Sequence, residues 1–242
     1  MKNFIYSIVC ALFLVLQSCS ADDKVTIYVD PALSSTLDKE NLKKYFRQNL
    51  AEYLTDDVFR VELKLLSNNT ASKSNSMVIM YDPPEFDEST FTYEEKPMAI
   101  KLEMYEKQVE QYKRTFINKL IHTLTSLEYN SKDSGIAEMI VPLNNKIQHP
   151  FKTIVITDLV QMSSTINFRN EDFLKESNVI ALAKKHALKI RENYIFPEKA
   201  MSNVELSCLI VSNEDSYPQY YLERYWTTYF NQFEVEINFQ KL

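Results

Sequence analysis

A chain of 242 residues with 33 acidic and 27 basic side chains has a net charge of −6 and no dense basic cluster, which argues against nucleic acid as a partner. Its single glycine, Gly135, excludes the P-loop, the dinucleotide fingerprint and the Gly-x-Ser-x-Gly nucleophile elbow, which need several residues without Cβ. The three histidines, His122, His149 and His186, fall at no metal-ligand or triad-like spacing, so a lone surface or satisfied core role is the default for each.

In chain order, Met1 and Lys2 precede an apolar run from Phe4 to Leu16, the pattern of an export signal too short to anchor the chain with ordinary flanks. Leu16-Gln17-Ser18-Cys19 follows and resembles the lipobox of bacterial lipoproteins. The resemblance implies cleavage after Ser18 and acylation of Cys19, with more than one acyl chain and hence stable anchoring. The expected organisation is a signal peptide over 1–18, a lipidated tether over 19–24 and one domain over 25–242. Loss of Lys2 with the signal takes the net charge from −6 to −7. The acidic pair Asp22-Asp23 resembles the surface-export signal of some didermic bacteria, so the expected location is the cell envelope, on the outer membrane, facing either the periplasm or the exterior. The five residues Ser20–Lys24 reach at most roughly 17 Å, which keeps the domain close to its membrane. Cys10 leaves with the signal, Cys19 carries lipid and Cys208 stands alone, so no intrachain disulfide is expected.

Val25–Val29 reads as a strand stopped by Asp30-Pro31, and Asp38 caps a helix with its stripe at Leu42, Tyr45, Phe46, Leu50 and Tyr53. Phe59–Leu65 alternates as a half-covered strand, and Met77–Met80 beyond a polar turn completes an edge hairpin. The acidic stretch Asp82–Glu95 lacks calcium-loop spacing and reads as a solvated loop. The longest helix carries Leu102, Tyr105, Val109, Tyr112, Phe116, Leu120, Leu124 and Leu127, a stripe read as core over its whole length. Gly135–Ile147 predicts a helix kinked or ended by Pro142, and Thr153–Thr157 a doubly buried strand ending at Asp158. A helix over Phe173–Ile190, a strand over Val204–Val211, an aromatic helix over Tyr217–Phe230 and a strand over Val235–Phe239 complete the chain. The alternation predicts an α/β fold, a three-layer, doubly wound, mostly parallel sheet with helices on both faces.

In such a sheet, ligands bind beyond the carboxyl ends of the strands where the winding reverses. Two strands end in aspartate: the first leads into Asp30-Pro31-Ala32-Leu33-Ser34-Ser35, the other stops at Asp158, and Ser134-Gly135 opens a helix between them. At these residues the chain resembles the von Willebrand factor A-like family, whose metal-ion-dependent adhesion site takes an Asp-x-Ser-x-Ser loop, a Thr or Ser before a middle helix and an Asp after the fourth strand. The resemblance implies a metal site of Asp30, Ser34, Ser134 and Asp158 holding Mg²⁺ or Mn²⁺, with Ala32 standing where the family has a hydroxyl. A hard cation on oxygen ligands keeps waters and leaves a position for a partner's carboxylate.

The helix with Tyr220, Tyr221, Tyr225, Trp226, Tyr229 and Phe230 cannot turn every ring to one core, so Tyr220, Tyr221, Tyr225 and Trp226 are expected at a partner-binding surface. The expectation is a non-catalytic, membrane-anchored module with an interaction face for a protein partner. The alternative is a hydrolase using Asp30 and Asp158 to activate water, for which no further base or nucleophile is recognisable.

Overall fold

The computed structural model describes residues 22–30, 33, 37–50, 53–54, 59–67, 70, 76–86, 98–127, 134–144, 151–171, 175–194, 196, 204–211 and 217–242. The elements run β1 (Asp22–Val29), α1 (Lys39–Asn49), β2 (Phe59–Leu65), β3 (Ser76–Tyr81), α2 (Met98–Thr125), a 3-10 turn over Ala137–Met139, α3 (Ile140–Asn144), β4 (Phe151–Thr157), α4 (Glu176–Asn193), β5 (Val204–Ile210), α5 (Gln219–Asn231) and β6 (Ile237–Lys241). Among the described residues the strands form one six-stranded sheet in the order β3-β2-β1-β4-β5-β6. Every neighbouring pair is parallel except β2 with β3, which closes one edge as the expected hairpin.

The central strands are apolar on both sides because both sides are covered. Val25, Ile27 and Val29 of β1 join Ile154 and Ile156 of β4 in a cluster with Leu42 and Phe46 of α1 and Phe116, Leu120 and Leu124 of α2. Tyr28 and Val155 point the other way, into a cluster with Val179 and Ala183 of α4 and Tyr225, Trp226 and Tyr229 of α5. This period-two division is why short continuous Val/Ile runs form doubly buried strands. On β2 the coverage exceeds the expected half: Lys64 is buried, its ammonium 3.3 Å from Glu62 and 5.9 Å from the Tyr28 ring centroid.

Asp38 caps α1 as its position predicts, its Oδ1 accepting from Glu40 N at 2.9 Å and Asn41 N at 3.1 Å. A cap of this kind is worth about 1 kcal/mol.

Several expectations are corrected. First, β1 begins at Asp22, in register with Phe59, so Asp22 and Asp23 enter the ladder, with a bulge at Lys24, instead of lengthening the tether. Second, the stripe on α2 is not core throughout: Val109, Phe116, Leu120 and Leu124 are buried, whereas Leu102 is exposed, as are Met98, Ile100 and Met104 beside it. Third, Pro142 sits within the short α3, and the turn before it is 3-10. The helix expected from Phe173 starts at Glu176, and the last strand is shifted two residues toward the carboxyl terminus.

Candidate functional site

The order β3-β2-β1-β4-β5-β6 reverses its winding between β1 and β4, and Asp30 and Asp158 follow those two strands. Asp30 N donates to Ile156 O at 2.9 Å, which carries the β1–β4 ladder one step past Val29. Continuing that register sets Asp30 beside Thr157, with Asp158 one residue beyond. Asp30 is buried and Asp158 half-buried, both at the carboxyl end of the sheet. Ser34 and Ala32 lie outside the described residues, as does Cys19.

Ser134 reaches this end by a different route. Its backbone pairs both ways with Met162, N to O and O to N at 2.9 Å each, in the segment that follows Asp158. The next residue, Gly135, presses on the segment after β2: a Cβ there would sit 2.1 Å from Ser67 O and 2.8 Å from Thr70 Oγ1. One stretch of chain therefore touches the ends of β2 and β4, and β1 lies between those strands in the sheet. The only glycine in the sequence is explained by this close approach, since any side chain would drive the Ser67 carbonyl away.

Ser134 is buried and its Oγ has no hydrogen-bond partner among the described residues. An unmet buried hydroxyl costs roughly 1–3 kcal/mol, so it is the kind of group that a ligand satisfies.

The turn that carries Asp158 is held under strain. Leu159 has φ 69°, a left-handed conformation that disfavours a branched side chain and costs about 1–2 kcal/mol. Three bonds fix it: Thr157 Oγ1 accepts from Leu159 N at 3.1 Å, Asp158 Oδ1 accepts from Val160 N at 2.9 Å, and Trp226 Nε1 donates to Leu159 O at 2.9 Å. One oxygen of Asp158 is thereby spent on its own turn.

Trp226 belongs to α5, and its burial overturns part of the aromatic expectation. Tyr225, Trp226, Tyr229 and Phe230 are fully buried, Tyr221 is half-buried, and Tyr220 is 61% exposed. A partner cannot reach Tyr225 or Trp226 without unfolding the domain. Their faces are taken by each other and by Phe168, which lies 4.8 Å from Tyr225 and 5.7 Å from Trp226 between ring centroids. Tyr229 OH donates to Ala137 O at 3.0 Å. Burial raises the Tyr225 and Tyr229 phenols well above their ordinary value, so both keep their protons as donors. The aromatic helix thus clamps both loops that bear candidate ligands, the Asp158 turn through Trp226 and the Ser134–Glu138 segment through Tyr229.

Residues without a signal in the sequence complete this support. Glu138 is buried, its Oε1 accepting from Ser163 Oγ at 2.5 Å and its Oε2 from Gln161 Nε2 at 3.0 Å. Gln161 Oε1 also accepts from Ala137 N at 3.0 Å, stitching the middle segment to the β4 loop. No local pattern announces a buried Glu–Gln–Ser cluster in which the glutamate lies more than twenty residues before its two partners. His186 takes the satisfied core role expected of a lone histidine: Nδ1 lies 2.8 Å from Tyr225 OH and Nε2 3.1 Å from Glu171 Oε1. Burial holds its imidazole below the ordinary value, against the opposing pull of Glu171.

Among the described residues no three or more His, Cys, Asp or Glu side chains cluster as metal ligands. The candidate set, two aspartates with two serine hydroxyls, is of a different kind: all hard oxygens, suited to Mg²⁺ or Mn²⁺. No protein-family model matches the chain, and no curated protein matches its sequence.

Proposed function

We propose that the chain is a membrane-anchored lipoprotein whose von Willebrand factor A-like domain, three-layered and doubly wound, binds a protein partner at the carboxyl end of its sheet through a degenerate metal-ion-dependent adhesion site. One observation carries this reading: two aspartates end the adjacent parallel strands at the switch point, and a segment bearing a buried hydroxyl with no hydrogen-bond partner among the described residues pairs with the loop that follows the second of them. The two coverage clusters, one with α1 and α2 and the other with α4 and α5, support the layering.

Asp30, Asp158 and Ser134, with Ser34, are the residues that would hold the cation. When bound, it would supply an open coordination position for a partner's carboxylate. The residues in place fit such an ion in type, and the Ser134 Oγ, one of several buried polar atoms without a hydrogen-bond partner among the described residues, is a group that the ion would satisfy. Ala32 takes one protein oxygen from the shell and leaves more of the ion to water, which lowers affinity. With β1 starting three residues after Cys19, the amino end of the parallel strands faces the membrane and the candidate site faces away from it, toward a partner in the envelope space or outside the cell.

Mass action tests the site. A cation at 100-fold excess over its Kd stabilises the fold by roughly 2.7 kcal/mol, read as a rise in melting temperature. We expect a rise with millimolar Mg²⁺ or Mn²⁺ relative to EDTA, a larger one for Ala32→Ser and none for Asp158→Ala. Identical melting temperatures with chelator and with cation would end this reading.

A further inference from the structure

We propose that His186 is an acid-sensitive latch: uptake of a second proton by its imidazole undoes the hold of α5 on the loop between β4 and α4, so that this loop and the Asp158 turn at its start loosen while the sheet stays folded. The inference stands whether or not a cation binds at Asp158. Residues 158–171 of that loop are tied to α5 at three places. Near its start Trp226 Nε1 donates to Leu159 O at 2.9 Å. Further on, the Phe168 ring packs on Tyr225 and Trp226, at 4.8 and 5.7 Å between centroids. At Glu171 the loop meets His186 of α4, whose other nitrogen meets Tyr225. One imidazole therefore joins α4, α5 and the loop at a single point.

The hydrogen bonds at that point fit the neutral ring. The Glu171 carboxylate only accepts, so Nε2, 3.1 Å from Oε1, carries the proton. Burial keeps the Tyr225 phenol protonated, so its hydroxyl has a proton to give to Nδ1 at 2.8 Å. A second proton falls on Nδ1 and makes it a donor that faces a donor. The phenol must then turn its proton from the ring or give ground. Giving ground disturbs the latch, because Tyr225 is fully buried against Phe168, Trp226 and Tyr229, their centroids 4.8, 4.9 and 6.2 Å away. Burial opposes the extra proton most strongly; Glu171 from the loop favours it, and Lys185 and Lys189 from α4 itself oppose it. From α5 the ring faces the uncharged Tyr225 phenol, on which Glu138 of the 3-10 turn acts in its turn. A loosened, hydrated ring takes the proton more readily than the latched one, so acid shifts the balance toward the loosened state. The element that moves is already strained: Leu159 has φ 69°, and the indole bond to its carbonyl is one of three that hold the turn. Loss of that bond lets the turn relax, and Asp158 moves with it. The bonds of Glu138 to Ser163 and Gln161 do not pass through α5 and keep the loop attached.

The test reads the only tryptophan in the sequence. In the full-length chain, labelled with ¹⁵N and held in dodecylmaltoside micelles, the Trp226 indole N–H gives one ¹H–¹⁵N signal, and long-range ¹H–¹⁵N correlation follows the His186 imidazole. Between about pH 7.5 and about pH 5 the imidazole should gain its proton from the Nε2–H form. With the same midpoint the indole signal should shift and its exchange with water quicken roughly tenfold or more, while the amides of Ile154 and Leu206 stay protected. His186→Gln should hold the indole signal still over that range, and His122→Gln should behave as wild type. An indole that stays put while His186 titrates, or an imidazole still neutral at about pH 5, overturns the latch. So does an acid shift of the indole that persists in His186→Gln, since carboxylates then cause it. Loss of protection at Ile154 and Leu206 together with the indole means that the whole domain unfolds, which equally overturns it. If His186→Gln does not fold, the two midpoints in wild type decide: coincidence supports the latch and separation overturns it.

Discussion

The helices α5 and α2 look alike in sequence and meet opposite fates. Both carry more apolar side chains than one narrow stripe requires, yet α5 buries Leu222, Tyr225, Trp226, Tyr229 and Phe230 while α2 leaves Met98, Ile100, Leu102 and Met104 in the open. Length decides. The 13 residues of α5 rise roughly 20 Å, close to the roughly 23 Å height of a seven-residue strand, so every turn has sheet or α4 beside it. The 28 residues of α2 rise roughly 42 Å and outrun the sheet. Periodicity reports which side of a helix is apolar; what covers that side is set by how far the partner layer extends.

The contrast is sharpest at Trp226. Its removal strips a fully buried indole and the donor that holds Leu159 O, so Trp226→Ala should cost about 3–5 kcal/mol in urea denaturation. A cost within 1 kcal/mol would mean that α5 is not the clamp described. Gly135→Ala comes next: the added methyl meets the Ser67 carbonyl at 2.1 Å, and overpacking of this kind costs about 1–3 kcal/mol. The same change displaces Ser134, so any melting-temperature response to Mn²⁺ should shrink with it.

A smaller effect, dependent on pH, follows from His186. Its folded pKa lies below the unfolded value near 6.5, so below that pH the unfolded chain binds the proton more readily and stability falls. Above it both states are neutral and the residue contributes no slope. Glu171, Lys185, Lys189 and Tyr225 surround the ring and stay in place in the variant. Between about pH 7.5 and about pH 5, wild type should therefore lose more stability than His186→Gln. Parallel curves for the two proteins would show that the imidazole is not held neutral. Smallest of all is Leu102→Ser, which should leave stability within about 0.5 kcal/mol because the side chain is already half open to solvent. A loss above 2 kcal/mol would place Leu102 in a core.

Much of the framework was legible because it depends on local rules. Asp38 as a cap, Asp30 and Asp158 as strand ends, and the Val/Ile runs as doubly covered strands all follow from neighbours in sequence. The start of β1 was misjudged because Asp22 and Asp23 have no strand preference and join the ladder only by pairing with β2. The aromatic surface was misjudged because exposure of Tyr225 and Trp226 depends on Phe168 and His186, far along the chain. At the candidate site the acidic ends could be read directly. The Glu138–Gln161–Ser163 support could not, since it exists only once the β4 loop and the middle segment meet.

The central claim is that Asp30, Asp158 and Ser134 form one oxygen site at the switch point. Titration of Mn²⁺ followed by the loss of its free-ion paramagnetic resonance signal measures this without reference to stability. The account predicts a single ion per chain, displaced by Mg²⁺, strengthened by Ala32→Ser, weakened by Ser134→Ala and abolished by Asp158→Ala. Saturable binding that survives Asp158→Ala and Ser134→Ala unchanged, or no binding to Ala32→Ser at millimolar Mn²⁺, would contradict it.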